Sequence, residues 1–84
     1  MKLITGTQIK LARTVLSWRN ADLADYSNIG TTTIKKLEQS GDEIPSARID
    51  TVLKIKETLE PQLKALGWYF TDSGGIDKLT DLSG

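Results

Sequence analysis

The chain contains no cysteine and no histidine in its 84 residues. Their absence removes disulfides, thiolate nucleophiles, Ser-His triads and the usual zinc ligand sets. There is no run of about 18 apolar residues to span a bilayer, and the start, MKLITGTQIKLAR, lacks the apolar stretch of a secretory signal. The expected location is therefore the cytoplasm. An excess of positive charge is missing too, since 11 Lys and Arg are balanced by 11 Asp and Glu, with a pI of about 6.2. The chain as a whole is not a basic nucleic-acid glue, and any affinity for DNA has to come from local placement of charge. Aromatic residues are few, at 6%. Trp18, Trp68, Tyr69 and Phe70 therefore read as core or interface before they read as base-stacking platforms. The carboxylates Asp22, Asp25, Asp42, Glu43, Asp50, Glu57 and Glu60 do not fall at calcium-loop spacing and read as solvated surface. At this length there is one small core and little room for a deep enzyme pocket. No catalytic residue, metal or cofactor is expected, and stability has to come from packing, with oligomerisation as a further source.

What is present is helical periodicity. ITGTQI reads as a helix start: Thr5 caps, Gln8 three residues on answers it, and Ile4 and Ile9 form a hydrophobic staple. The first helix runs to about Ser17 on an apolar face of Ile9, Ala12, Val15 and Leu16, which leaves Lys10 and Arg13 needing solvent or an ion pair. A second, short helix spans about Asn20 to Tyr26, with Leu23 and Ala24 inward and Asn20 or a neighbour as cap. Asn28 can end it in the left-handed conformation. The third runs from about Thr31 to Gln39 over the apolar pair Ile34 and Leu37.

QSGDEIPS is a loop, with Ser46 as cap of a fourth helix beginning near Ala47. Val52, Ile55, Leu59, Leu63 and Leu66 keep the helical period through Pro61, where a break or kink is expected, with Pro61 opening a short fifth helix. Gly67 stops it. WYFT and IDKL, separated by DSGG, permit a hairpin, and TDLSG is expected to be disordered.

The segment LSWRNADLADYSNIGTTTIKKLEQSG, Leu16 to Gly41, resembles the helix-turn-helix of phage-repressor and Cro-type proteins, the lambda-repressor-like or XRE family. The likeness runs from about Gly6 to Phe70. It rests on the Leu-Ala pair of helix 2, on Ile29 in the turn, and on Ile34 with the Leu37-Glu38 pair in helix 3. It implies an all-α domain of four to five helices with a short C-terminal β-strand or hairpin. Residues 1–71 would form the DNA-binding domain and 72–84 a C-terminal turn, strand and tail. The implied function is sequence-specific binding of double-stranded DNA by a transcriptional regulator acting as a homodimer, without enzymatic activity.

Carried over position by position, the resemblance makes helix 3 the recognition helix. Thr31, Thr32 and Lys36 are expected at base edges. Arg19, Asn20 and Lys35 are expected on phosphates, and Thr33 is expected to turn partly inward. A threonine offers both a hydroxyl and a methyl to a base edge, which would explain three residues of low helix propensity opening a helix. The alternative is that they cap helix 3. Likewise Asn20 can be an ordinary cap, Arg19 a solvated charge, and Lys2 and Lys10 solvated charges.

The resemblance further implies an ion pair between Arg13 and Glu38 that ties helix 1 to helix 3. A second copy would be needed, and Leu63, Leu66, Trp68, Phe70 and Ile76 form the apolar group expected at the dimer interface, with WYFT offering unpaired backbone. Trp68 and Phe70 can instead cap the monomer's own core. The alternative function is a protein-interaction module of the same fold, antitoxin-like or anti-repressor, with a protein rather than DNA as partner. Zero net charge and the acidic Asp22, Asp25 and Glu38 near the motif favour it.

Overall fold

The computed structural model describes residues 3–41, 43 and 49–79. The first helix, α1 (Gly6–Leu16), starts on a capping box. Thr5 Oγ1 accepts the Gln8 backbone N–H at 3.1 Å, and Gln8 Oε1 accepts the Thr5 N–H at 2.9 Å. Ile4 and Ile9, on either side of the box, are both buried in the same core. The helix ends at Ser17, left-handed at φ 57°.

Three residues later α2 (Asn20–Ser27) begins. Arg19 occupies the cap position, and its own N–H is taken by the Asp22 carboxylate at 2.8 Å. Asn20 is thus the first helical residue rather than the cap. Asn28 closes the helix at φ 59°, the conformation expected of it. After Ile29, α3 (Thr31–Glu38) starts on Gly30, which has no side chain to cap with. None of the three threonines caps this helix, and Thr33 is exposed rather than turned inward. Ile34 and Leu37 are the residues that turn in, both buried.

A single helix, α4 (Ile49–Ala65), carries Pro61 inside it, so the break and the fifth helix expected at that proline do not occur. Magnitudes explain why. An interior proline costs about 3 kcal/mol, whereas burying Leu59 and Leu63 on either side of it returns about 1.5–3 kcal/mol each. Both leucines are fully buried in register with Val52 and Ile55, and Pro61 itself lies on the exposed side. The expected cap Ser46, the helix start near Ala47 and the tail TDLSG lie outside the described residues.

Gly67, at φ 83°, turns the chain into β1 (Trp68–Phe70), which pairs antiparallel with β2 (Ile76–Lys78) in the register Trp68 with Lys78, Tyr69 with Asp77 and Phe70 with Ile76. A two-stranded hairpin is marginal alone. This one is held to the helices: Trp68 and Phe70 pack half-buried against the core, and the Gln8 amide nitrogen donates to the carbonyls of both Thr71 and Gly75 at 2.9 Å. The described chain is thus a mostly helical domain of four helices and one hairpin around a single core.

Leu63 does not belong to a dimer surface. Continuation of α4 through Pro61 turns it fully into the chain's own core. Of the other residues expected at that surface, Leu66 is 52% exposed, while Trp68, Phe70 and Ile76 are partly buried.

Candidate nucleic-acid interface

Residue spacing in α3 decides what the helix shows to solvent. With Ile34 and Leu37 three apart and buried, Thr31, Thr32, Lys35 and Lys36 all fall on the exposed side. Thr31 and Lys35 are four apart, as are Thr32 and Lys36, so each pair lies one turn apart on one stripe. The start of α2 and the outer side of α1 complete an open groove. It is lined by Lys10, Arg13, Asn20, Thr31, Thr32, Lys35 and Glu38.

The floor of that groove is fixed by an ion pair. Arg13 Nε donates to Glu38 Oε2 at 2.6 Å and Nη2 to Oε1 at 2.8 Å, while Nη1 donates to the Trp18 carbonyl at 3.1 Å. The two side chains are only 17% and 11% exposed. The Glu38 hydrogen bond holds the Arg13 guanidinium above its ordinary pKa, against the opposing pull of burial. This fork joins the end of α3 to the middle of α1, and the guanidinium also holds the α1–α2 turn at Trp18.

Behind the pair, α1 and α3 meet at Gly6. A Cβ there would lie 2.8 Å from the Glu38 carbonyl oxygen and closer still to that of Leu37, so only glycine permits the approach. The loop after α3 then bonds the start of α1, with the Thr7 N–H on the Gly41 carbonyl at 2.8 Å.

The expected site residues therefore divide. Thr31, Thr32, Asn20 and Lys35 come together in the groove with the Arg13–Glu38 pair. Lys36 is exposed on the same helix but flanks the groove, and the Arg19 side chain is 88% exposed with its Nε 4.0 Å from Asp22 Oδ2. Lys10, expected as a solvated charge, lines the groove; its spacing of three from Arg13 puts both on one side of α1. Because Glu38 neutralises Arg13, the local field comes from Lys10, Lys35 and Lys36. None of these has an ion-pair partner among the described residues. Asn20 Oδ1 lies out of solvent without a hydrogen-bond partner, so this amide is not used to cap its helix. The groove offers lysine ammonium groups, hydroxyls and an amide, a chemistry of anion contact and hydrogen bonding.

Among the described residues no helix is long and apolar enough to cross a membrane, and no cluster of acidic side chains could hold a metal ion. No family model, curated protein or solved structure matches the chain.

Proposed function

We propose that the chain is a sequence-specific double-stranded DNA-binding regulator of the lambda-repressor-like kind, acting as a homodimer. The observation that carries this reading is the outer side of α3. Thr31, Thr32, Lys35 and Lys36 are exposed together on a short helix whose other side is fixed in the core, directly beside the start of α2 at Asn20. A helix of this kind can enter the major groove with its first turn against base edges. In this reading Thr31 and Thr32 contact bases, and Lys36 reaches guanine O6 or N7. Lys35, Asn20 and Arg19 hold phosphates, and Lys10 joins them from α1. The absence of a side-chain cap on α3 supports the assignment, since it leaves the threonine hydroxyls for another partner.

The alternative, a protein-binding module on the same helix pair, draws on the zero net charge and the exposed Asp25. Glu38 does not add to it, because its carboxylate is already held by Arg13.

Selection of bound duplexes from random genomic fragments at physiological salt separates the two. The DNA reading expects one enriched sequence made of two related half-sites about 34–36 Å apart. Recovery of no enriched sequence would leave the protein-binding module as the better account.

A further inference from the structure

The hairpin carries more information than its packing. The Thr71 N–H donates to the Gly75 carbonyl at 2.9 Å, and the Leu79 N–H to the Gly67 carbonyl at 2.6 Å. With the register of Tyr69 opposite Asp77, this fixes the phase of the ladder. Gly67, Tyr69 and Thr71 direct their backbone groups at β2. Trp68 and Phe70 direct theirs the other way, out of the free edge of β1, and among the described residues neither has a further backbone partner.

The second edge of the sheet is treated differently. There the outward N–H of Lys78 is taken by the Asp77 carboxylate at 2.8 Å, and a charged residue stands in the strand. This is how natural sheets discourage pairing at an edge. The β1 edge has no such guard: its residues are Trp68, Tyr69 and Phe70, with Leu66 and Tyr69 exposed beside it at 52% and 41%.

We infer that the β1 edge docks a second copy of this chain, β1 against β1, antiparallel about a two-fold axis through Tyr69. The edge is complementary to itself. In that arrangement Trp68 of each copy faces Phe70 of the other as a hydrogen-bonded pair, so the outward N–H and C=O of both residues are satisfied. The same register lays the half-buried Trp68 of the second copy beside Phe70. There a cleft of about 170 Å³ opens between the hairpin, the segment Leu3–Ile4 and the Lys56–Glu60 turn of α4. A four-stranded sheet also removes the marginality of an isolated hairpin. The inference deepens the homodimer of the proposed function by naming its surface: it keeps Trp68 and Phe70 of the expected interface, with the exposed Leu66 beside them, and drops Leu63, which is buried.

The experiment uses the full chain without DNA, and the lack of native cysteine makes a single introduced thiol unique. In the non-hydrogen-bonded Tyr69 pair the two Cα atoms would stand about 4.5 Å apart, within disulfide reach. Leu79 of the two copies would lie on the outer strands at opposite ends of the sheet, roughly 14 Å apart across it and about as far along it, roughly 20 Å in all and beyond that reach. The wild-type chain should sediment at twice its 9.3 kDa monomer mass. Under mild oxidation Tyr69→Cys should run mostly as a covalent dimer, and Leu79→Cys as a monomer. A monomeric wild type at high micromolar concentration would overturn the inference, as would cross-linking of Leu79→Cys in place of Tyr69→Cys. A dimer that binds no DNA would leave it standing and remove the DNA reading; a monomer that binds DNA specifically would do the reverse.

Discussion

Arg13 and Glu38 hold each other by two hydrogen bonds, 2.6 and 2.8 Å long, across the junction of α1 and α3. At 17% and 11% exposure the pair is nearly out of water, so removing one partner strands the other's charge. Glu38→Ala should cost about 2–4 kcal/mol in chemical denaturation. Arg13→Lys should recover only part of the native stability, because an ammonium cannot form the fork and also reach the Trp18 carbonyl. Unchanged midpoints for both variants would mean that the pair is solvated.

The sign of the pH dependence follows from the raised Arg13 pKa. A cation whose pKa is higher folded than unfolded stabilises the fold fully below its unfolded pKa, and that stability is lost only as pH rises through the folded value. For a guanidinium this window lies above any working range. The difference in melting temperature between wild type and Arg13→Ala should therefore stay flat from pH 7 to about pH 10; a difference that shrinks across that interval would contradict the assignment.

Gly6→Ala sets two effects against each other. Alanine favours a helix interior by up to about 1 kcal/mol over glycine, but its methyl would press into the Leu37 and Glu38 carbonyl oxygens, which are backbone atoms and cannot swing aside. Overpacking of this kind costs about 1–3 kcal/mol. Net destabilisation is expected, and a more stable Gly6→Ala chain would show that α1 and α3 stand further apart.

Gln8 ties the hairpin to α1 through the Thr71 and Gly75 carbonyls while its Oε1 completes the capping box. Gln8→Leu should cost about 1–3 kcal/mol by stranding those groups. It should also speed hydrogen exchange at the hairpin amides more than at α3. Equal acceleration everywhere would indicate a general loss of packing instead.

Ser17 and Asn28 both sit at positive φ. Replacing Ser17 by glycine should stabilise the chain by roughly 0.5–1 kcal/mol, and Asn28→Gly by less, because asparagine tolerates this conformation better. Thermal melts of the two variants test the order.

Much of this arrangement can be read locally. The Thr5–Gln8 box, the left-handed Asn28 and the Ile34–Leu37 pair each announce themselves within four residues, and the capping, the turn and the inward stripe of α3 follow from them. What resists local reading depends on distant partners. Pro61 looks like a stop until burial of Leu59 and Leu63 on both sides is weighed against it. Gly6 looks like an ordinary helix-start glycine, because the carbonyls that forbid a Cβ lie more than thirty residues away. Gln8 shows its capping role in the sequence but not its grip on Thr71 and Gly75. In the groove, α3 is the readable part; Lys10 shows locally only its spacing of three from Arg13, which sets its side of α1 but does not announce Asn20 and Lys35 across the groove.

The most direct test of the central claim is the salt dependence of binding to the selected duplex, for wild type, Lys35→Ala and Lys36→Ala. Lys35→Ala should weaken all sequences alike and reduce the slope of log affinity against log salt by about 1. Lys36→Ala should lose about 1–3 kcal/mol of discrimination at one base pair. Binding whose salt slope and sequence preference are unchanged by both substitutions would contradict the claim that α3 reads DNA.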